Sequence, residues 1–261
     1  MLLYFKYLKI LLKAQIQYRI SFWLLTVGQF LAPLSIFAGV YFLFARFGSI
    51  KGWNFFEVAL CFSIIHMSFA ISQCLGRGFD AFSGLVVSGE FDRLLVRPQS
   101  TLVQVMGSQL EISRIGRLFQ SVAVFVWTVM NLTIHWNMAK VITLVLMTIS
   151  GVFVFLGIFM LAATLCFWTI QGLEVVHILT DGGKELAQYP LDIYKKWVTR
   201  FFTYVIPFGC VNYLPLLFIL DRAEGSGSLL YMLSPLFGIV FIVPCVFLWN
   251  YGVRHYLSTG S

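Results

Sequence analysis

The chain has 261 residues, 59% of them hydrophobic and only 11% charged, with a net charge of +7. A soluble domain carries about 25% charged residues, so this sequence lacks the polar side chains to cover a globular surface, and a bilayer is its natural solvent. The basic residues are scattered between apolar runs rather than gathered into a basic domain, which argues against nucleic acid as a partner.

Residues 1–20 open the chain with an amphipathic pattern. Lys6, Lys9, Lys13 and Gln17 share one helical face, and Leu3, Tyr7, Leu11, Ala14 and Tyr18 lie opposite. The pattern predicts a helix in the interface plane with its lysines toward anionic membrane lipids; the plainer reading is a basic flank of the first span. The apolar run from Ile20 to Ala45 is too long for the core of a cleaved leader and lacks a small-residue cleavage site. A hydrocarbon core about 30 Å thick needs roughly 20 apolar residues per helix. Six runs qualify, at 21–45, 55–76, 116–135, 141–169, 201–220 and 229–252. They are continuous rather than alternating, so the fold class is all-α: a polytopic membrane protein of six transmembrane helices in one domain over 1–261. With the N-terminus cytoplasmic, fourteen Lys and Arg fall on inner segments and four on outer ones, which places both termini inside.

The first span carries Gly28, Ala32, Ser35 and Gly39 on one face, a small-residue surface for close helix packing. The partner helix is either in the same chain or in another. The second span aligns Ser63, His66, Gln73 and Arg77, and the third aligns Arg117, Gln120, Thr128 and Asn131. Polar side chains in lipid face protein or water, so His66, Gln73, Gln120, Thr128 and Asn131 either line a pathway or hold the bundle by hydrogen bonds. His66 alone reads as a bonded bundle residue rather than a proton carrier. The cytoplasmic loop 83–113 contains "SGEFDRLLVRPQS" at 88–100. Phe91, Leu94 and Leu95 make an apolar ridge and Glu90 with Arg93 a charged edge on about two helical turns, ended by Pro98. Such a helix either inserts its ridge into a groove on another protein or tucks it against its own bundle. In the fifth span Pro207 frees a backbone carbonyl and predicts a kink, static or hinged.

Nothing in the sequence looks catalytic. The stretch "DGGKE" at 181–185 lacks the spacing of a phosphate loop. No cluster of His, Cys and Asp suggests a metal, and Cys61, Cys74, Cys166, Cys210 and Cys245 form no C-x-x-C pair. The spans have no carboxylates at midspan, since Glu57 and Glu174 sit near span ends, so an ion-coupled carrier has no ionisable group at depth. Uphill transport would need a motor outside the chain.

Six spans, a basic amphipathic start and "GEFDRLLVRPQS" between spans two and three together resemble the permease subunits of ABC-2-type ATP-binding-cassette transporters. A second cue is "YPLDIYKKWVTRFFTYVIPFGCVNYLP" at 189–215, with Tyr189–Pro190, Ile193–Tyr194, Ile206–Pro207 and Pro215 spaced as in the six-helix ABC-2 branch. The resemblance covers nearly the whole chain and fades over 170–188. It implies a non-enzymatic half of an export pathway in the cell membrane, here the bacterial cytoplasmic membrane. The other half would be a second permease, related but non-identical, and two separate ATPase subunits would bind ATP and magnesium. It implies that Glu90, Phe91, Asp92, Arg93, Leu94 and Leu95 form the coupling helix seated in the ATPase. Aromatic, largely uncharged spans suit an amphiphilic or hydrophobic cargo. The competing reading is a membrane scaffold, accessory or immunity protein without transport.

Overall fold

The computed structural model describes residues 17–169, 178–223 and 228–256, together with Ile10, Lys13 and Gln15. The interfacial helix expected over 1–20 lies mostly outside the described residues. Within them the chain is helical, with no strand apart from an isolated bridge between Ile50 and Trp53. Four helices are long and apolar enough to cross a membrane: Arg19–Phe47, Phe55–Val87, Met138–Leu165 and Ser228–Arg254.

Helix α1 (Arg19–Phe47) stops where Gly48, at φ 73°, turns its N–H back to the Phe44 carbonyl at 2.8 Å. After a short turn, α2 (Phe55–Asp80) begins with a capping box in which the Asn54 N–H donates to Glu57 Oε2 at 2.8 Å. Every residue of α2 from Val58 to Ala70 is buried. A helix buried all round must have neighbours on every side, and α2 is the central post of the bundle. On one flank stands α6 (Ile115–Asn131), which buries Gly116, Gln120, Val124 and Thr128 in a single stripe. On another stands α7 (Met138–Leu165), whose first turn is capped by Asn137 accepting from the Lys140 N–H at 2.8 Å. Between α2 and α6 run three two-turn helices, α3 (Phe82–Val87), α4 (Glu90–Leu95) and α5 (Thr101–Met106).

Helix α1 leans on α6 and gives one side to the core. Its buried residues are Thr26, Pro33, Phe37, Val40 and Phe44. At Gly116 the two helices touch so closely that a Cβ would lie 2.1 Å from the Thr26 carbonyl oxygen, so only glycine fits.

The region 178–219 departs most from the expected single helix at 201–220. A π turn (Ile178–Gly182) leads into α8 (Gly183–Ala187) and a 3₁₀ turn (Leu191–Ile193). This stretch climbs along α2: Lys184 Nζ lies 5.0 Å from the Phe69 ring centre, and Asp192 meets the turn before α2, where Trp53 Nε1 donates to its carboxylate at 3.0 Å. Lys51 Nζ adds bonds to the Asp192 and Ile193 carbonyls, each 3.1 Å. Then α9 (Lys196–Tyr204) and the stretch Gly209–Ile219, which ends in α10 (Leu214–Ile219), meet at 87°. Pro207 sits in the break, so the expected kink is a full interruption. Phe208 beside it points into the bundle, 5.2 Å from the Phe155 ring. The far end returns to the 48–54 turn, where Arg222 donates to Glu57 at 2.6 Å and Lys140 to Asp221 at 2.7 Å. Both ends of the bent pair therefore lie at one end of the bundle. An apolar run has the length of a span whether it crosses or doubles back, and that ambiguity is why the sequence suggested a single helix.

The chain closes with α11 (Ser228–Leu233), α12 (Leu236–Val240) and α13 (Ile242–Arg254) in near-continuous file. Two aromatic-rich clusters fill the bundle. One gathers Phe37, Phe44, Trp53, Phe62, Met147 and Leu216 near the 48–54 turn, and the other Phe79, Phe82, Phe91, Phe155, Phe159 and Trp249 toward the opposite end.

Candidate functional site

The charged loop between α2 and α6 is built on α4. Gly89 precedes it at φ 69°, a left-handed conformation that glycine adopts without steric cost, and this sharp turn sets α4 across the end of α3. The other end is tied down by Gln104, whose Nε2 donates to the carbonyls of Leu94 at 3.1 Å and Gln99 at 3.0 Å. The apolar ridge of α4 faces inward. Phe91 is fully buried in a cage of rings, with centroids 4.9 Å from Phe82, 5.6 Å from Phe167, 6.3 Å from Trp249 and 5.1 Å from Tyr256. Leu94 packs on the same cluster. The surface left outward consists of Glu90, Arg93, Leu95, Val96 and Arg97, with Asp92 half-buried. Asp92 lies beside Tyr256, and burial followed by that carboxylate raises the phenol's pKa above its ordinary value. The ridge the sequence offered to a partner is thus taken by the protein's own bundle, because five aromatic side chains converge there from three stretches far apart in sequence.

Ion pairs lock the root of this loop. Glu111 accepts from Arg114 Nε at 2.7 Å and from Arg77 Nε at 3.1 Å, and Arg77 also pairs with Asp80. Gln15 joins in by accepting from the Ile112 N–H at 2.9 Å. The end of α2 and the start of α6 are held by this charged network.

Deeper in the bundle the polar side chains of α2 and α6 face each other and the 178–193 stretch. Arg117 Nη1 donates to Gln73 Oε1 at 3.1 Å. His66 stacks on Phe62 at 3.9 Å and bonds Gln188 Oε1 at 3.1 Å. Gln188 Nε2 donates to Glu185 at 2.8 Å, which leaves its oxygen toward His66 and makes the imidazole the donor. Gln120 and Thr128 are buried with no hydrogen-bond partner for Gln120 Oε1, Gln120 Nε2 or Thr128 Oγ1. Asn131 stands apart from this seam: it is exposed and bonds the Trp127 carbonyl of its own helix at 2.8 Å. Three members were not legible in the sequence. Lys184, Gln188 and Asn212, whose Nδ2 donates to the Ala187 carbonyl at 2.9 Å, are buried polar residues from segments whose path along α2 no local pattern announces.

The small-residue face of α1 also has a definite address. Gly28, Ala32, Ser35 and Gly39 are all exposed, and a Cβ on Gly28 or Gly39 would meet nothing within 4 Å. The intrachain contact of α1 uses the opposite side. Among the described residues no group of three or more His, Cys, Asp or Glu could hold a metal ion.

A family model described as "ABC-2 family transporter protein" matches residues 30–260. No curated protein and no solved structure matches the chain.

Proposed function

The chain belongs to the ABC-2 transporter family, a family of multi-pass membrane permeases, and from that premise we propose that it is the membrane subunit of an ATP-driven exporter. It would have no ATPase activity of its own. Separate ATPase subunits, carrying ATP and magnesium, would dock on the outward surface of α4 through Glu90, Arg93, Leu95 and Val96. The observation that carries this reading is the anchoring of α4. A short helix alone is marginal in water, but Phe91 is clamped between Phe82, just beyond α2, and Trp249 of α13. A push on the outer surface of α4 is therefore delivered to two long helices at once. Phe91 and Leu94 transmit the force from inside, while the charged edge meets the ATPase.

The topology that fits has six crossings with both termini inside. The fifth crossing includes 178–193, and 196–219 is a re-entrant hairpin dipping from the outer side, with Pro207 at its tip as a pivot. Lys195, Lys196 and Arg200 then move to the outer side, which lowers the inner excess of Lys and Arg without reversing it. The open Gly28–Gly39 face of α1 is a surface on which a second permease, related but non-identical, can pack closely. The polar seam of His66, Gln73, Gln120 and Thr128 borders the pathway between them. The membrane is the cell membrane.

Mild-detergent purification with identification of every co-purifying chain tests this reading. The expected result is an ATPase with nucleotide turnover and a second permease, both retained by the intact chain, with the ATPase lost from Arg93→Glu. Purification of a stable chain with neither, and unchanged biological activity when 92–97 is scrambled outside Phe91 and Leu94, would leave a scaffold or accessory protein instead.

A further inference from the structure

We propose that the small cavity between α1, α2, α6 and α8 binds the anionic head of an amphiphile, a carboxylate or phosphate, with Arg117 as its principal anchor. The cavity is lined by Ala32, Pro33, Ile36, His66, Arg117 and Lys184, with a volume of about 40 Å³. One water needs roughly 10–15 Å³, so the space suits a compact head group and leaves the apolar tail to lie in lipid along α1, where Leu24, Val27 and Leu31 are exposed.

Two features point to an anion. The first is Arg117 itself, which donates to Gln73 and has no carboxylate at ion-pair distance; its Nε is buried and unbonded. A half-buried guanidinium with no carboxylate at ion-pair distance is costly in a membrane and marks a functional position. It also matches carboxylate and phosphate geometry through parallel N–H donors. The second is Gln120, one turn further along the same face of α6, 1% exposed and with both amide atoms unpartnered. Lys184 contributes less, because Glu185 at 3.1 Å and Asp181 at 3.7 Å already share its charge. Neither carboxylate lines the cavity, and both are partly solvent-exposed. The depth is also suitable. Arg117 is level with Gln73, about 27 Å along α2 from its Phe55 end at 1.5 Å per residue, in the half of the bundle nearer the α3–α5 loop. An amphiphile in the adjacent leaflet could reach it sideways past the Pro33 segment of α1.

If the bound amphiphile is cargo, the site rests on the permease reading; if it is a resident lipid, the site stands by itself. The test uses the purified chain in phosphatidylcholine nanodiscs, with no ATPase present, and compares equilibrium binding of hexadecyl phosphate and hexadecanoate with that of hexadecanol. The expected result is binding of the anions about tenfold tighter than the alcohol, as one charge-assisted hydrogen bond would give. Arg117→Gln should abolish that preference, Arg117→Lys should keep part of it, and Lys184→Gln should reduce it less than Arg117→Gln. Competition by phosphatidylglycerol in the disc would identify a lipid head group, and its absence a single-chain amphiphile. Equal affinity for hexadecyl phosphate and hexadecanol overturns the proposal whether or not any variant folds, as does an unchanged preference in a folded Arg117→Gln. Either result leaves the ATPase pull-down untouched, and a failed pull-down leaves this binding test untouched.

Discussion

Replacing Phe91 by alanine separates two roles that the sequence left open. The ring is fully buried and touches four other aromatic side chains, so the substitution opens a cavity at the junction of α3, α4 and α13. Phe→Ala in a core costs about 3–5 kcal/mol, and 1 kcal/mol moves the midpoint of a chain this size by roughly 2–4 °C. The expected shift is therefore on the order of 10 °C, toward lower temperature. Melting in detergent can be followed with a thiol-reactive fluorophore, because Cys61, Cys166, Cys210 and Cys245 are buried and become reactive only on opening. Scan rate must be held constant, since membrane-protein melting is governed by an unfolding rate. The companion variant Arg93→Glu changes an exposed side chain and should stay within about 0.5 kcal/mol of the parent while losing the ATPase. A Phe91→Ala protein that melts like the parent but no longer holds the ATPase would refute the inward packing and return the ring to the partner's groove.

Three further outcomes follow from the packing. A single cysteine at Lys195 should be labelled by an impermeant reagent from the same side as one at Lys51, and from the side opposite one at Arg93, because Lys51 bonds the Asp192 and Ile193 carbonyls; labelling of Lys195→Cys and Arg93→Cys from one side would remove the re-entrant hairpin. Gly116→Val should loosen α1 and cost at least about 1–3 kcal/mol, read as a lower melting midpoint, since its Cβ would press on the Thr26 carbonyl. Ala32→Cys, paired with cysteines introduced one at a time along the first span of the second permease, should form an oxidative cross-link to that chain, because the Gly28–Gly39 face is open; failure of every pair to cross-link in the assembled complex would place the permease contact elsewhere.

Much of the fold was legible because its causes are local. The long apolar helices at 19–47, 55–80, 138–165 and 228–254 were readable from run length. Their boundaries coincide with short-range devices such as Gly48 after α1, the Asn54–Glu57 box before α2 and Asn137 before α7. The α4 helix ending before Pro98 was readable for the same reason. The spacing of His66, Gln73, Gln120 and Thr128 also placed each on a buried face before any neighbour was known.

Direction and partnership were not in the sequence. Periodicity shows that Phe91 shares a face with Leu94, but only the arrival of Phe167, Trp249 and Tyr256 from distant segments decides that this face turns inward. The small residues of α1 promise a close contact without saying with what, and the structure spends the opposite side of the helix on the chain itself. Arg117 was readable as one member of a polar stripe, but only tertiary packing leaves it beside Gln73 with no carboxylate at ion-pair distance. The stretch 201–220 was read as one crossing because hydrophobicity measures the cost of leaving water and is blind to whether a segment continues or turns back. That choice was made by Trp53 and Lys51 holding Asp192, and by Glu57 holding Arg222, across more than a hundred residues of chain.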